Sequence, residues 1–273
     1  MSKKETDISP KKKIIKKRNT TLEGFLSQFI IKKGADVEAS HTSMGPPFGK
    51  YYIPDEKLSK FHNVYHHHVF DHKKDCHLVE RHQNIGPIVI DLDFKYKTSD
   101  TLPDRRYTVS MIKGFLQLFF KEMSNILILE QDEHFTHRIE DLRSAFVFEK
   151  KKPSINPKKK DELKDGLHIM FPFVNTSPDI QYYLRSRILK RPELKELFKP
   201  IEAVNTLDDI IDECVIFRNG WMMYGSRKPA SLPYELSRIY FLHEDNGNGK
   251  GDKNFIEGTG EGAGEGVGEG AGE

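Results

Sequence analysis

Two carboxylates separated by one residue stand at the end of an apolar run, Gly86-Pro87-Ile88-Val89-Ile90-Asp91-Leu92-Asp93-Phe94. The run is rich in β-branched residues and follows a Gly-Pro breaker, which predicts a buried strand. Successive strand side chains point to opposite faces, so Ile90, Leu92 and Phe94 share one face and Asp91 and Asp93 the other. Neighbouring carboxylates repel unless one holds a proton or a cation sits between them. A hard divalent cation with oxygen ligands resolves that repulsion. The competing reading is a strand end running into solvent, where acids are ordinary.

Two further stretches could handle phosphate. Asp165-Gly166-Leu167-His168-Ile169-Met170-Phe171-Pro172 reads as a short strand with Gly166, His168 and Met170 on one face. A histidine beside a glycine can donate to a phosphate with little obstruction; a partly buried structural histidine is the alternative. Gly225-Ser226-Arg227-Lys228-Pro229 is a polar basic turn whose N–H groups, hydroxyl and cations suit the same ligand.

These residues must be carried by a scaffold. Helices are predicted over Leu22–Ile31, from Pro54-Asp55 through Leu58, Phe61, Val64 and Tyr65, over Met111–Leu129, and over Tyr182–Phe198, where Pro192 either breaks the helix or opens another. Strands are expected at Tyr51–Ile53, Ser144–Glu149, Ile210–Phe217 and Ser237–Leu242. Asn219-Gly220 signals a hairpin that returns Trp221–Tyr224 against Ile210–Phe217. His41–Lys50 reads as a loop, and so does the charged stretch Lys150–Lys164, which is either solvated or reaches for phosphate. Arg185, Arg187, Lys190 and Arg191 give the 182–198 region a basic face, open to a solvated or a nucleic-acid-binding reading.

His66-His67-His68, His72, Cys76, His77 and His82 invite a zinc hypothesis. Structural zinc sites use short fixed spacings and several cysteines, and three consecutive helical histidines point in three directions. Surface histidines are therefore expected, with no zinc site at His68, Cys76 and His82.

The 273 residues suffice for a sizeable core, and 43 Lys and Arg nearly balance 41 Asp and Glu. Two distant cysteines make no disulfide framework, and the chain shows neither a membrane-spanning run nor a signal-peptide core. A soluble intracellular protein is expected. Residues 1–19 read as a disordered basic tail, able to contact phosphates or direct nuclear import through Lys11-Lys12-Lys13 and Lys16-Lys17-Arg18; 246–273 read as a disordered Gly/Glu-rich tail. One domain is expected over 20–245.

The order of motifs is informative: an Asp-x-Asp strand, a Gly-x-His strand, then an acid followed by a Gly-Ser-x-Lys turn. This order resembles the archaeo-eukaryotic primase superfamily, most of all the N-terminal primase region of primase–helicases of large DNA viruses of poxvirus and mimivirus type. Tyr51–Leu58 and Leu78–Glu80 are similar to the giant-virus members. The resemblance implies an α+β fold: an RRM-like antiparallel sheet with helices, joined to an N-terminal αβ unit. It implies DNA-templated primer synthesis by two-metal nucleotidyl transfer. Asp91 and Asp93 would bind Mg2+ or Mn2+, and Asp212, ahead of its rivals Asp208 and Asp209, would complete the metal site. His168, with Ser226, Arg227 and Lys228, would hold the nucleotide's phosphates. The implied partners are a single-stranded DNA template, nucleoside triphosphates and a separate replicative helicase, with no membrane. A viral protein of this kind would work in the host cytoplasm, within a viral factory, or in the nucleus.

Two departures stand out. Many relatives carry an arginine just before the Gly-Ser turn, where this chain has Trp221-Met222-Met223. No Gly-x-x-x-x-Gly-Lys-[Ser/Thr] motif occurs, so the helicase is missing and a primase-only paralogue, a split gene product or a fragment is expected. Rival functions are a non-catalytic paralogue that binds single-stranded DNA or a replication partner, and a metal-dependent nuclease.

Overall fold

The computed structural model describes residues 21–99, 104–128, 139–242 and 255–258. The basic N-terminal segment and most of the Gly/Glu-rich segment lie outside them. Seventeen elements matter here. Helices are α1 (Leu22–Leu26), α2 (Asp55–His66), α3 (Val109–Ser124), α4 (Ile139–Leu142), α5 (Pro178–Leu189), α6 (Pro192–Phe198) and α7 (Leu207–Ile210). Strands are β1 (His41–Ser43), β2 (Gly49–Tyr51), β3 (Leu78–Glu80), β4 (Gly86–Lys97), β5 (Ser144–Glu149), β6 (Ser154–Asn156), β7 (Lys159–Thr176), β8 (Trp221–Met222), β9 (Glu235–Leu242) and β10 (Phe255–Gly258).

They form two antiparallel sheets. The larger has the order β10-β9-β5-β7-β4, with β6 paired to β7; the smaller is β2-β1-β3-β8. The α+β class and the antiparallel sheet with an N-terminal αβ unit are thus as expected.

The apolar face of β4 explains the helical layer. Ile88, Ile90, Leu92, Phe94 and Tyr96 are buried in one cluster with Leu167, Ile169 and Phe171 of β7. The same cluster takes Ile112, Phe115, Leu116, Phe119 and Phe120 from α3, Leu184 and Ile188 from α5, and Leu194 and Phe198 from α6. Each such side chain contributes ~1.5–3 kcal/mol when fully buried. Helix α3 starts where the Thr108 hydroxyl accepts from the Met111 N–H, and its apolar residues recur at helical spacing. A second cluster, containing Phe25, Tyr51, Phe61, Tyr65 and Leu78, holds the small sheet to α1 and α2.

Several local expectations need correction. Helix α1 stops at Leu26, well before Ile31. The 41–50 stretch is no loop, since β1 and β2 form a hairpin there. Much of Lys150–Lys164 is sheet, because β7 starts at Lys159 and β6 folds back on it. Ile210–Phe217 is not a strand: α7 is followed by one antiparallel bridge, Ile211 to Leu92, and then a 3-10 turn. β8 therefore pairs with β3, Glu80 opposite Trp221, rather than with Ile210–Phe217. Pro192 opens α6, with Arg191 as its cap. Within the segment read as a disordered tail, β10 adds an edge strand to β9, Phe255 opposite Leu242.

β4 and β7 pair with Asp91 opposite His168 and Asp93 opposite Gly166. A Cβ at Gly166 would lie 2.1 Å from the Leu92 carbonyl oxygen, a backbone atom that cannot rotate away, whereas one at Gly86 meets nothing within 4 Å. Gly166→Ala should therefore lower the unfolding free energy by at least about 2 kcal/mol. Gly86→Ala should stay within about 0.5 kcal/mol of wild type. Urea titration of both variants checks this, and equal stability of the two would contradict it.

Candidate catalytic site

A cavity of about 420 Å³ opens between the two sheets, lined by Asp91, Asp93, Gly166, His168, Asp212, Ser226, Arg227 and Lys228 among others. All seven side chains predicted for the site are brought to it. They come from the polar face of β4, the same face of β7, the segment after α7 and the turn after β8.

Asp212 arrives through backbone contacts. Its N–H donates to the Asp91 carbonyl at 3.0 Å, next to the Ile211–Leu92 bridge. One carboxylate oxygen caps the 3-10 turn by accepting from the Cys214 N–H at 2.9 Å. Neither rival acid lines the cavity. Asp209 is tied to Thr206 in a capping box, and Asp208 pairs with Arg185 at 3.1 Å.

Asp91 stands in surroundings that disfavour charge. Burial first, then Asp93 and Asp212, push the Asp91 carboxyl up to about 7. Its Oδ1 is buried and has no hydrogen-bond donor. His168 Nε2 lies 3.7 Å from that atom. Burial, helped by Lys150 and Lys228, lowers the His168 imidazole to about 3, so it is neutral near pH 7. Its ring stacks on Tyr234, with centroids 3.6 Å apart, and lies 4.5 Å from Trp221. The orphaned Asp91 oxygen and an all-carboxylate donor set fit a hard divalent cation.

The Gly225–Pro229 turn behaves less simply. The Ser226 hydroxyl is buried and engaged by Tyr65 at 2.9 Å and by the Leu78 N–H at 3.2 Å. It fastens the turn to the small sheet. Arg227 reaches Asp75, leaving it less free than expected. Lys228 lines the cavity and acts electrostatically on both Asp91 and His168.

Lys150, which opens the charged stretch read as able to reach for phosphate, also lines the cavity, as do Trp221 and Tyr234, which sequence reasoning did not assign to the site. Lys150 Nζ lies 4.6 Å from the Tyr234 ring centroid, and burial followed by Lys228 lowers its pKa. Its signal was available: a lysine immediately after a strand that neighbours the His168 strand. Tyr234 gave none. Behind the site, Arg105 grips Asp165 through Nε and Nη2 at 3.0 and 3.1 Å, fixing the residue before Gly166.

The histidine-rich segment differs from expectation. His68 is buried, with Nε2 3.3 Å from the Asp75 carbonyl oxygen, so it is no surface residue. The chain widens into a π-helix at His67–Asp71, which lets adjacent His66 and His67 both approach Asp71.

Residues 40–240 match the family described as the C962R protein N-terminal AEP domain, AEP denoting archaeo-eukaryotic primase. A protein of Acanthamoeba polyphaga mimivirus named as a helicase, L207/L206, is 33% identical over 222 residues, covering 80% of this chain and 22% of that protein. A protein of Invertebrate iridescent virus 6 also named as a helicase, 184R, is 23% identical over 245 residues, covering 76% of this chain and 22% of its own length. The chain belongs to the archaeo-eukaryotic primase family. It spans about a fifth of the length of these curated relatives. No helix among the described residues is long and apolar enough to cross a membrane.

The Asp91 environment predicts a pH dependence of metal-free stability. A folded-state pKa raised to about 7 means that the stabilising form is the protonated one. That contribution is complete below the ordinary carboxylate pKa and is lost as pH rises through about 7. Asp91→Asn keeps a neutral group there. With chelator present, its stability should match wild type near pH 4 and exceed it by up to ~4 kcal/mol at pH 8. Denaturant titrations across that range check this; a gap that does not change with pH would contradict it.

Proposed function

We propose that this chain catalyses DNA-templated primer synthesis, adding nucleotides from nucleoside triphosphates along a single-stranded template. The observation that supports this most is the meeting of Asp91, Asp93 and Asp212 with Lys228 and Lys150 in one cavity. The acids suit Mg2+ or Mn2+ and the lysines suit a triphosphate. The helicase names of the viral relatives suggest that priming is coupled to strand separation, on the same or a separate polypeptide.

Nucleotidyl transfer builds negative charge on phosphate oxygens and leaves little covalent work to the protein. Divalent cations held by Asp91, Asp93 and Asp212 would activate the 3′-hydroxyl and stabilise the departing pyrophosphate. Lys150 and Lys228, which line the same cavity, would neutralise the triphosphate. Neutral His168, its ring held by Tyr234 and Trp221, would donate an N–H to a phosphate oxygen rather than supply a charge. Trp221 fills the stretch where many relatives place an arginine, so a flat ring replaces a cation at that edge.

Wild type and Asp91→Ala should be compared with template, nucleoside triphosphates and Mg2+ or Mn2+. Wild type should make primer, and Asp91→Ala should fall at least ~1000-fold, a loss of about 4 kcal/mol of transition-state stabilisation, while still binding single-stranded DNA. Equal inactivity with intact DNA binding would favour the non-catalytic paralogue. Metal-dependent loss of the template would favour a nuclease.

Substrate binding can be read without turnover, because Trp221 is the one tryptophan of the chain and lines the cavity. Its emission should change on titration with a nucleoside triphosphate. Lys150→Met and Lys228→Met should each raise the apparent Kd about tenfold, the loss of ~1.4 kcal/mol from one charge-assisted contact. Unchanged affinity in Lys150→Met would remove that residue from the phosphate site.

A further inference from the structure

On the helical layer, behind the large sheet and on the face opposite Asp91, a second cavity of about 290 Å³ is lined by Tyr183, Arg187, Lys190 and Arg191. No acid lines it. Beneath it Glu122 of α3 is fully buried and accepts from Arg187 Nε at 2.8 Å and from Arg191 Nε and Nη2. One buried carboxylate thus holds two guanidinium groups in place. Two positive charges against one already overcompensate it, and Lys190 adds a third. Arg187 keeps 43% of its side chain exposed despite its bond to Glu122.

A simpler account covers part of this. Arg187 stands in the last turn of α5 and Lys190 caps that helix, where the helix dipole favours them, whereas Arg191 stands at the N-terminus of α6. That account explains neither a buried acid committed to two arginines nor Tyr183. Tyr183 lies one turn before Arg187 on the same helical face and is half exposed. An exposed aromatic ring beside fixed guanidinium groups suits a strand that offers both phosphates and unstacked bases. A free anion would leave the ring unused.

We propose that Tyr183, Arg187, Lys190 and Arg191 form an accessory site for single-stranded nucleic acid, binding backbone phosphates through the three cations and stacking a base on Tyr183. Glu122 is a positioning residue: it fixes the two arginines and touches no ligand. The site lies away from the catalytic cavity, so it holds nucleic acid that is not at that moment being copied. It does not depend on nucleotide addition and can be present in an inactive chain.

The test uses Lys190→Gln and Tyr183→Leu, which keep Glu122 and both of its arginines, in the full chain. Anisotropy of a labelled oligothymidylate is measured over a range of salt, with thermal unfolding as a check on the fold. Lys190→Gln should weaken binding several-fold and lower the slope of log K against log salt by about 0.7, one phosphate contact on a single strand. Tyr183→Leu should weaken binding at least about fivefold with its slope unchanged, as loss of a stacked base requires. If either substitution lowers the melting temperature, Lys190→Arg and Tyr183→Phe should restore wild-type binding. Wild-type affinity and slope in both Lys190→Gln and Tyr183→Leu would overturn the proposal. It would also fail if inorganic phosphate binding fell in Lys190→Gln while oligonucleotide binding did not, since the site would then serve a free anion. Asp91→Ala should bind the oligonucleotide as wild type does, which separates this result from any failure of primer synthesis.

Discussion

The antiparallel register of β4 against β7 is the constraint on which the rest depends. Directly opposed residues of an antiparallel pair project to the same side. Asp91 opposite His168 and Asp93 opposite Gly166 therefore set the polar face in one step. The other side is Ile90, Leu92 and Phe94 against Ile169 and Leu167, all buried under helices. A slip of one residue would bury the acids and expose the apolar row. The core thus holds the site in register, and the chemistry-bearing residues need no further device to find one another along these two strands.

Asp212 is held differently. Its segment makes one bridge to β4, and Arg185 of α5 anchors it by donating to the Ile211 and Asp208 carbonyls, both at 2.7 Å. Burial then acts on opposite kinds of group in the same sense, towards neutrality: Asp91 is raised to about 7 and His168 lowered to about 3. A cation among the acids would reverse the first effect and a phosphate beside His168 the second. Charges of both signs on a bound metal–triphosphate would complement what the protein alone leaves unfavourable.

Strong local patterns made much of this legible in the sequence. The alternation at 88–94 gave the two faces of β4, and the helical spacing of Ile112, Phe115, Leu116 and Phe119 gave α3. The order of motifs led to Asp212, which no local signal separates from Asp208 and Asp209. The failures share a cause. Ile210–Phe217 has strand-forming residues, but it makes a single bridge to β4 and then turns, so tertiary context overrides propensity. Asn219-Gly220 lies at a bend before β8 and joins no hairpin: the partner of β8 is β3, about 140 residues earlier in the chain, and pairing at that distance leaves no local trace. The contacts that hold Ser226, to Tyr65 and Leu78, are equally remote and left no trace either.

The packing of α3 on β4 bears on how the chain is made. β4 leaves the ribosome well before β7, its hydrogen-bonding partner, and an unpaired apolar strand is a template for aggregation. The next long helix to emerge is α3, whose Ile112, Phe115 and Phe119 belong to the same cluster as Ile90, Leu92 and Phe94. Closing that short loop is entropically cheaper than waiting for β7. During synthesis, α3 therefore serves as a built-in cover for the strand that bears the first two acids.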